Sequence, residues 1–323
     1  MRMPSTADHL GKQDPSAEVR SSFPLIVIVG PTAVGKTSLS ISLAQRLDAE
    51  VVSADSRLLY RGMDIGTAKP TPEQRSLVPH HLIDVTDPDV PWDLARFKQE
   101  ATSAIEQINS RGHLALLVGG TGQYVHAVTE NWELPSARPD LALRAKLEER
   151  GHQLGPEALH RTLAKIDPQA AQRIDPHNLR RTARALEVML TTGKRFSEQS
   201  KKAEPAYPLI MVGLTRPREE LYTLIDQRIE LMFANGLVDE VATLLRRYPP
   251  DLPAFSAIGY RQVIAYLQGK MTLDEAKAAI RRASRNFVRH QANWFSAHDP
   301  EITWFRPDEP AAIIAHVESR LAG

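Results

Sequence analysis

Residues Gly30-Pro31-Thr32-Ala33-Val34-Gly35-Lys36-Thr37 match G-x-x-x-x-G-K-[ST], the phosphate-binding P-loop pattern. Such a loop opens a helix whose first backbone N–H groups lack helical partners, and the peptide dipole there favours an anion. Gly30 and Gly35 permit backbone geometry that a side chain would hinder. Lys36 can reach terminal phosphate oxygens, and the Thr37 hydroxyl can ligate Mg²⁺. The competing reading is a chance glycine-rich turn. The flanks count against it: Pro24 to Val29 reads as a buried strand, and Leu39, Leu43 and Leu47 recur at helical spacing with Ala44 beside them. A P-loop specifies a polyphosphate and leaves open which one.

A second strand, Ala49 to Ser53, runs into the turn Ala54-Asp55-Ser56-Arg57. Ligands of parallel sheets bind at the carboxyl ends of strands, so Asp55 lies on the same edge as the P-loop. A helix cap is the competing role for Asp55. Met63 to Pro70 is a polar loop with a glycine and a lysine, and His80 to Val85 reads as a third strand. His80 and His81 are adjacent on that strand and face opposite ways, which favours structural roles over a shared metal. Leu114 to Val118 is the most apolar strand and ends in Gly119-Gly120-Thr121-Gly122. Glycines at that position imply close backbone approach to something, or a plain strand-to-helix turn. Leu82-Ile83-Asp84 is only a weak Walker-B candidate, which weakens an ordinary ATPase reading.

These residues need a scaffold, and the chain has the length for one. Its 323 residues can bury a large core. Net charge is +1, so any nucleic-acid surface must be a local patch. There is no cysteine, which excludes disulfides, cysteine nucleophiles and thiolate metal sites. No apolar run approaches the roughly 18 residues of a membrane helix. Residues 1–22 lack a signal peptide's apolar segment and read as a disordered tail. A cytoplasmic protein without membrane contact is expected.

Trp92 to Asn109 has a helix pattern. From Arg138 to Lys202 no strand candidate occurs, and the segment carries 14 Lys/Arg against 8 Asp/Glu. Its last helix, Asn178 to Leu190, has Leu179, Ala183, Leu186 and Leu190 as the expected buried stripe, with Arg180, Arg181 and Arg184 off it. Strand character returns at Leu209 to Leu214. The expected fold is therefore α/β: a P-loop NTPase-like parallel sheet core, residues 23–135 and 205–323, with an all-helical insertion at 136–204. Arg218 to Phe233 is a helix carrying Arg228, and Thr272-Leu273-Asp274-Glu275 is a capping box. The helix it opens shows Arg281, Arg285 and Arg289 at i, i+4, i+8, with no acid between Arg281 and His298. That stripe suits a nucleic-acid backbone, and a solvated face is the plainer alternative. Trp294 and Phe295 read as packing residues.

Together these pieces resemble the tRNA dimethylallyltransferases. The resemblance rests on the P-loop, on Ser53-Ala54-Asp55-Ser56, on Tyr60 to Pro70 and on Leu117 to Gly122. Arg181, Arg184-Ala185-Leu186-Glu187 and Ile258-Gly259-Tyr260-Arg261-Gln262 add to it, over about Pro24 to Phe305. It implies transfer of a dimethylallyl group from dimethylallyl diphosphate to N6 of adenosine 37, in tRNAs reading codons that begin with U. The P-loop would then hold the leaving diphosphate, with Mg²⁺ on Thr37 as cofactor. Asp55 would take the amine proton, with Thr121 beside the same centre and Arg228 on the diphosphate. The base must leave its stack to be reached. Contacts to the tRNA anticodon stem-loop are expected from Asp55, Ser56, Arg57 and Leu58, and from Arg180, Arg181, Thr182, Ala183 and Arg184. Gly259, Tyr260, Arg261, Arg281, Arg285 and Arg289 would complete them. A monomer is expected.

The chain departs from the family at Leu224, where an arginine is common, and at His290, within a usual Lys-Arg-Gln. With no cysteine in the sequence, no C-terminal zinc finger is expected, which fits bacterial members. An adenylate isopentenyltransferase would share the chemistry but needs neither the basic insertion nor the arginine stripe. A small-molecule P-loop kinase would not share the Asp64 to Pro70 and Gly119-Gly120-Thr121 matches. A non-catalytic RNA-binding protein would not need Asp55 and an intact P-loop.

Overall fold

The computed structural model describes residues 23–134, 140–198 and 201–322. The expected disordered tail lies outside them.

Alternating strands and helices build one sheet. β1 (Leu25–Val29), α1 (Lys36–Leu47), β2 (Ala49–Ser53), α2 (Pro72–Leu77), β3 (His80–His81), α3 (Leu94–Ser110), β4 (Leu114–Val118) and α4 (Gly122–Thr129) form its first half. A short β5 (Trp132–Glu133) leads to the insertion helices α5 (Leu141–Leu154), α6 (Pro156–Ile166), α7 (Pro168–Arg173) and α8 (Leu179–Thr192). After β6 (Lys201–Lys202) come β7 (Leu209–Leu214), α9 (Arg218–Ala234), α10 (Leu237–Leu245), α11 (Tyr260–Leu267), α12 (Leu273–Ala292), β8 (Ile302–Phe305) and α13 (Pro310–Ala322).

The main sheet has the order β3-β2-β4-β1-β7-β8, and every pairing in it is parallel. β1 sits inside it and is buried on both faces, as a continuous apolar run requires. Leu25, Val27 and Val29 pack with α3 and α4 residues such as Phe97, Ile105 and Val125. Ile26 and Ile28 pack with α1 and α9 residues such as Leu43 and Ile225. The expected α/β sheet is therefore present, and both the P-loop and Asp55 follow carboxyl ends of its strands.

The third strand is shorter than expected. Only His80 and His81 pair with β2. Leu82 and Asp84 take left-handed backbone angles (φ 60° and 57°), and Asp84 and Val85 donate their N–H groups to the carbonyls of Leu58 and Leu59. The Asp84 carboxylate meets Lys69 at 2.6 Å and Arg75 at 2.7 Å, so a salt-bridge network turns the chain out of the sheet and occupies the weak Walker-B candidate.

The insertion has its own core, in which Leu159, Leu163, Ala183 and Leu186 meet. Its base carries a strand that the sequence pattern did not reveal: β6 pairs antiparallel with β5 over two residues, too few to show a period. Leu190 is 64 % exposed rather than part of the buried stripe. The buried face of α8 includes Glu187 instead, whose carboxylate takes Arg144 and Arg184, both at 2.6 Å, and the Asp140 N–H at 2.9 Å. Burial acts to raise the Glu187 carboxyl, but the bonds from Arg144 and Arg184 outweigh it and hold it below the ordinary range.

Candidate active site

The P-loop leaves β1 at Gly30, where φ is 144° and a Cβ would lie 2.6 Å from the Leu214 carbonyl oxygen. Only glycine fits that combination. Gly35, at φ 115°, turns the chain into α1. Lys36 folds back along the loop, and its Nζ donates to the carbonyls of Gly30 and Pro31, each at 2.8 Å. Withdrawal from water lowers its pKa to about 8; nearby Asp55 opposes the shift and Arg228 adds to it. Arg228 reaches the loop from α9 and donates to Thr32 Oγ1 at 3.5 Å. Burial lowers its pKa as well. Both groups are half-buried, and among the described residues neither forms a salt bridge.

Lys36 and Arg228 line one cavity of about 270 Å³, together with Thr37, Ser53, Asp55 and Gly119. Two cations with neutral hydrogen-bond partners beside a P-loop make an anion site. Thr37, Ser53 and Asp55 supply hard oxygen donors at its edge, the type that suits Mg²⁺. Among the described residues no group of three His, Asp or Glu could hold a metal by itself. His81 instead pairs with Glu50 at 2.7 Å, while His80 Nδ1 bonds the Val78 carbonyl at 2.8 Å, so the adjacent histidines have structural partners.

Asp55 does cap a turn: its Oδ1 accepts from the Arg57 N–H at 2.9 Å. The other carboxylate oxygen has no hydrogen-bond partner among the described residues and belongs to a residue lining the cavity. No helix starts here, so the helix-cap role does not hold; Asp55 closes a turn and keeps one oxygen unpartnered among the described residues. Thr121 Oγ1 accepts from the Ser56 N–H at 3.1 Å, which leaves its own proton free to donate and ties it to the Asp55 turn. The glycines before and after it approach their own chain closely. A Cβ at Gly119 would collide with Ala54, and one at Gly122 with the Trp294 ring.

Thr67, Ala68 and Pro70, from the Met63 to Pro70 loop, also line the cavity. Two residues hold that loop, and sequence reasoning missed both roles. The Glu240 carboxylate on α10 accepts from the N–H groups of Asp64 (3.0 Å), Ile65 (2.7 Å) and Gly66 (3.2 Å), and from the Tyr260 hydroxyl at 2.5 Å. Lys69, whose side chain is 3 % exposed, binds the Tyr60 carbonyl, Asp64 and Asp84. The only sequence signal for Glu240 was an acid in the first turn of a helix, an ordinary dipole partner.

The residues expected to meet RNA fall into three groups. Arg180, Arg181 and Arg289 are exposed. Thr182, Ala183 and Tyr260 are each 0 % exposed and turn their side chains inward, and burial with Glu240 beside it raises the Tyr260 pKa. Arg57, Arg184, Arg281 and Arg285 already have partners. Arg57 donates to the carbonyls of Pro253 and Ala254, and Arg184 meets Glu187. Arg281 pairs with Glu230, and Arg285 with Asp226 at 2.7 Å, both acids on α9. Ser56 and Leu58 are half-buried beside Asp55, and Leu58 lines the cavity. Gly259 and Arg261 flank Tyr260 at the start of α11.

Residues 58–298 match the family described as IPP transferase, and residues 23–84 match a second described as isopentenyl transferase. A tRNA dimethylallyltransferase of Roseiflexus sp. (strain RS-1) is 54 % identical over 274 residues, covering 84 % of this chain and 90 % of that protein. The crystal structure of a tRNA isopentenylpyrophosphate transferase from Bacillus halodurans is similar at a TM-score of 0.70 and 43 % identity, covering 93 % of this chain and 97 % of that one. A eukaryotic dimethylallyltransferase acting on tRNA is similar at a TM-score of 0.77 and 26 % identity, covering 93 % and 78 %. Among the described residues no helix is long and apolar enough to cross a membrane.

Proposed function

This chain belongs to the IPP transferase family, and we propose that it is a tRNA dimethylallyltransferase, moving a dimethylallyl group from its diphosphate to N6 of adenosine 37. The observation that carries this reading is the cavity beside the P-loop that Lys36, Arg228 and Asp55 line together.

The donor's diphosphate lies on the P-loop N–H groups, with Lys36 and Arg228 against its oxygens. The C1–O bond of the donor breaks, and its electron pair leaves with the diphosphate. Lys36 and Arg228 stabilise the charge that grows on that leaving group. The N6–C1 bond forms, and one N6 proton passes to the free oxygen of Asp55. An exocyclic amine is a poor nucleophile, so orientation matters as much as proton removal. Asp55 and Thr121, tied together through Ser56, hold the amine. Thr37 would hold Mg²⁺ against the diphosphate, where the ion would supply charge neutralisation. The target base is flipped out of its stack to reach the cavity. Exposed Arg180, Arg181 and Arg289 are the first candidates for the anticodon stem-loop backbone, with RNA shape as the second determinant.

The test is incubation with labelled dimethylallyl diphosphate and unmodified tRNA, with AMP as competing acceptor and ATP as competing donor. Label is expected in tRNA at adenosine 37. Label in AMP alone would return the free-nucleotide reading, and ATP hydrolysis without transfer the kinase reading.

A further inference from the structure

We infer that Gln291 is a positioning residue that holds the donor loop and the acceptor turn in register; the inference rests on the prenyl-transfer reading above. Gln291 lies in the last turn of α12 and is 5 % exposed. Its Oε1 accepts from the Thr32 N–H of the P-loop at 2.9 Å, from 259 residues away in sequence. Its Nε2 donates to the Gly120 carbonyl at 2.9 Å, 171 residues away. The amide is therefore used as donor and as acceptor at once. A glutamate could not donate here, a lysine could not accept, and an asparagine is one methylene too short. Gly120 is fitted to it: a Cβ there would collide with the Gln291 amide nitrogen.

The two partners lie on opposite sides of the proposed reaction. Thr32 belongs to the loop around Lys36, and its hydroxyl receives Arg228. Gly120 immediately precedes Thr121, whose hydroxyl receives the Ser56 N–H next to Asp55. A continuous chain of contacts thus runs Arg228, Thr32, Gln291, Gly120, Thr121, from the diphosphate side to the base side. Gln291 does not itself line the cavity, so it acts through these neighbours. Attack of N6 on C1 requires the two sides to be aligned, and a misplacement of about 1 Å can cost on the order of 10²-fold in rate. Because Gln291 lies outside the cavity lining, its loss should reach the chemical step and spare both affinities.

Gln291→Glu and Gln291→Asn in the full chain separate this role from a general packing role. The glutamate keeps an acceptor for Thr32 and sets an oxygen against the Gly120 carbonyl; the asparagine keeps the polarity and loses the reach. Both should lower single-turnover transfer at saturating substrates by about 10²-fold. Equilibrium affinities for dimethylallyl diphosphate and for unmodified tRNA, measured below each variant's own thermal midpoint, should match the parent, although burying the glutamate against the Gly120 carbonyl should lower that midpoint. Transfer at the parent rate by either folded variant would overturn the inference. So would a loss that appears only in donor or tRNA affinity, with a normal rate at saturation. If the parent chain itself transfers nothing to tRNA, the prenyl-transfer reading has failed instead, so the two failures are distinct.

Discussion

The cations of the P-loop cavity and those of helix α12 differ in what already surrounds them. Lys36 and Arg228 have carbonyls and a hydroxyl as hydrogen-bond partners. Partial burial lowers the pKa of each. On α12, Lys277 and Arg281 share Glu230, and Arg285 takes Asp226. In sequence both sets are simply Lys and Arg at suggestive spacing. In space, the first set is prepared for an anion that the protein does not supply, and much of the second has been supplied with one. A cation without a carboxylate is the better guide to a phosphate site than a count of positive charges.

The sharpest break in this comparison concerns neither set directly but the group between donor and acceptor. Asp55→Ala should lower the chemical step by about 10²–10⁴, the scale for a general base. Donor and tRNA affinities should persist, because the cations remain. Single-turnover transfer followed with labelled donor checks this, and a near-parent rate would remove Asp55 from the mechanism.

The pH dependence tests the cavity's side. In the proposed reaction the ammonium form of Lys36 is the form that would bind diphosphate. Its pKa of about 8 means that the charge is present below that pH and lost above it. The value of kcat/KM for the donor should therefore fall about tenfold per pH unit on the alkaline side of that pKa. Bound diphosphate favours the charged form, so the matching limb in kcat should lie at higher pH. A flat profile through this range would mean that Lys36 keeps an ordinary pKa or does not contact the donor.

The smallest effect is expected on α12. Replacing Arg281, Arg285 and Arg289 together by glutamine should flatten the slope of log tRNA affinity against log salt by about one unit, the contribution of one phosphate contact. Three free arginines would give about three units. Conversely, Asp226→Asn with Glu230→Gln would release Arg281 and Arg285 and steepen the slope. Filter binding of tRNA across a salt series measures both.

The same contrast explains what could be read from the chain alone. The P-loop, its strand and helix, the parallel sheet and the capping box at Thr272 are local patterns, and each is present. The arginine stripe was also legible, but its neutralising acids lie on α9, about fifty residues earlier in the chain, where no periodicity in α12 can reveal them. The pattern of His80 to Val85 is apolar enough to predict a full strand; the Lys69 and Arg75 contacts to Asp84 that end it are tertiary. The roles of Glu240 and Gln291 were invisible for the same reason. Glu240 reaches Asp64, Ile65 and Gly66 from 176, 175 and 174 residues away, and Gln291 reaches Thr32 and Gly120 from 259 and 171.

The most direct test is the affinity of the parent and two variants for dimethylallyl diphosphate, measured by calorimetric titration with Mg²⁺ and without RNA. The account predicts that Lys36→Met with Arg228→Leu abolishes measurable donor binding, whereas the triple glutamine replacement of Arg281, Arg285 and Arg289 binds as the parent does. Parent-like binding by the first variant, or a loss confined to the second, would contradict it.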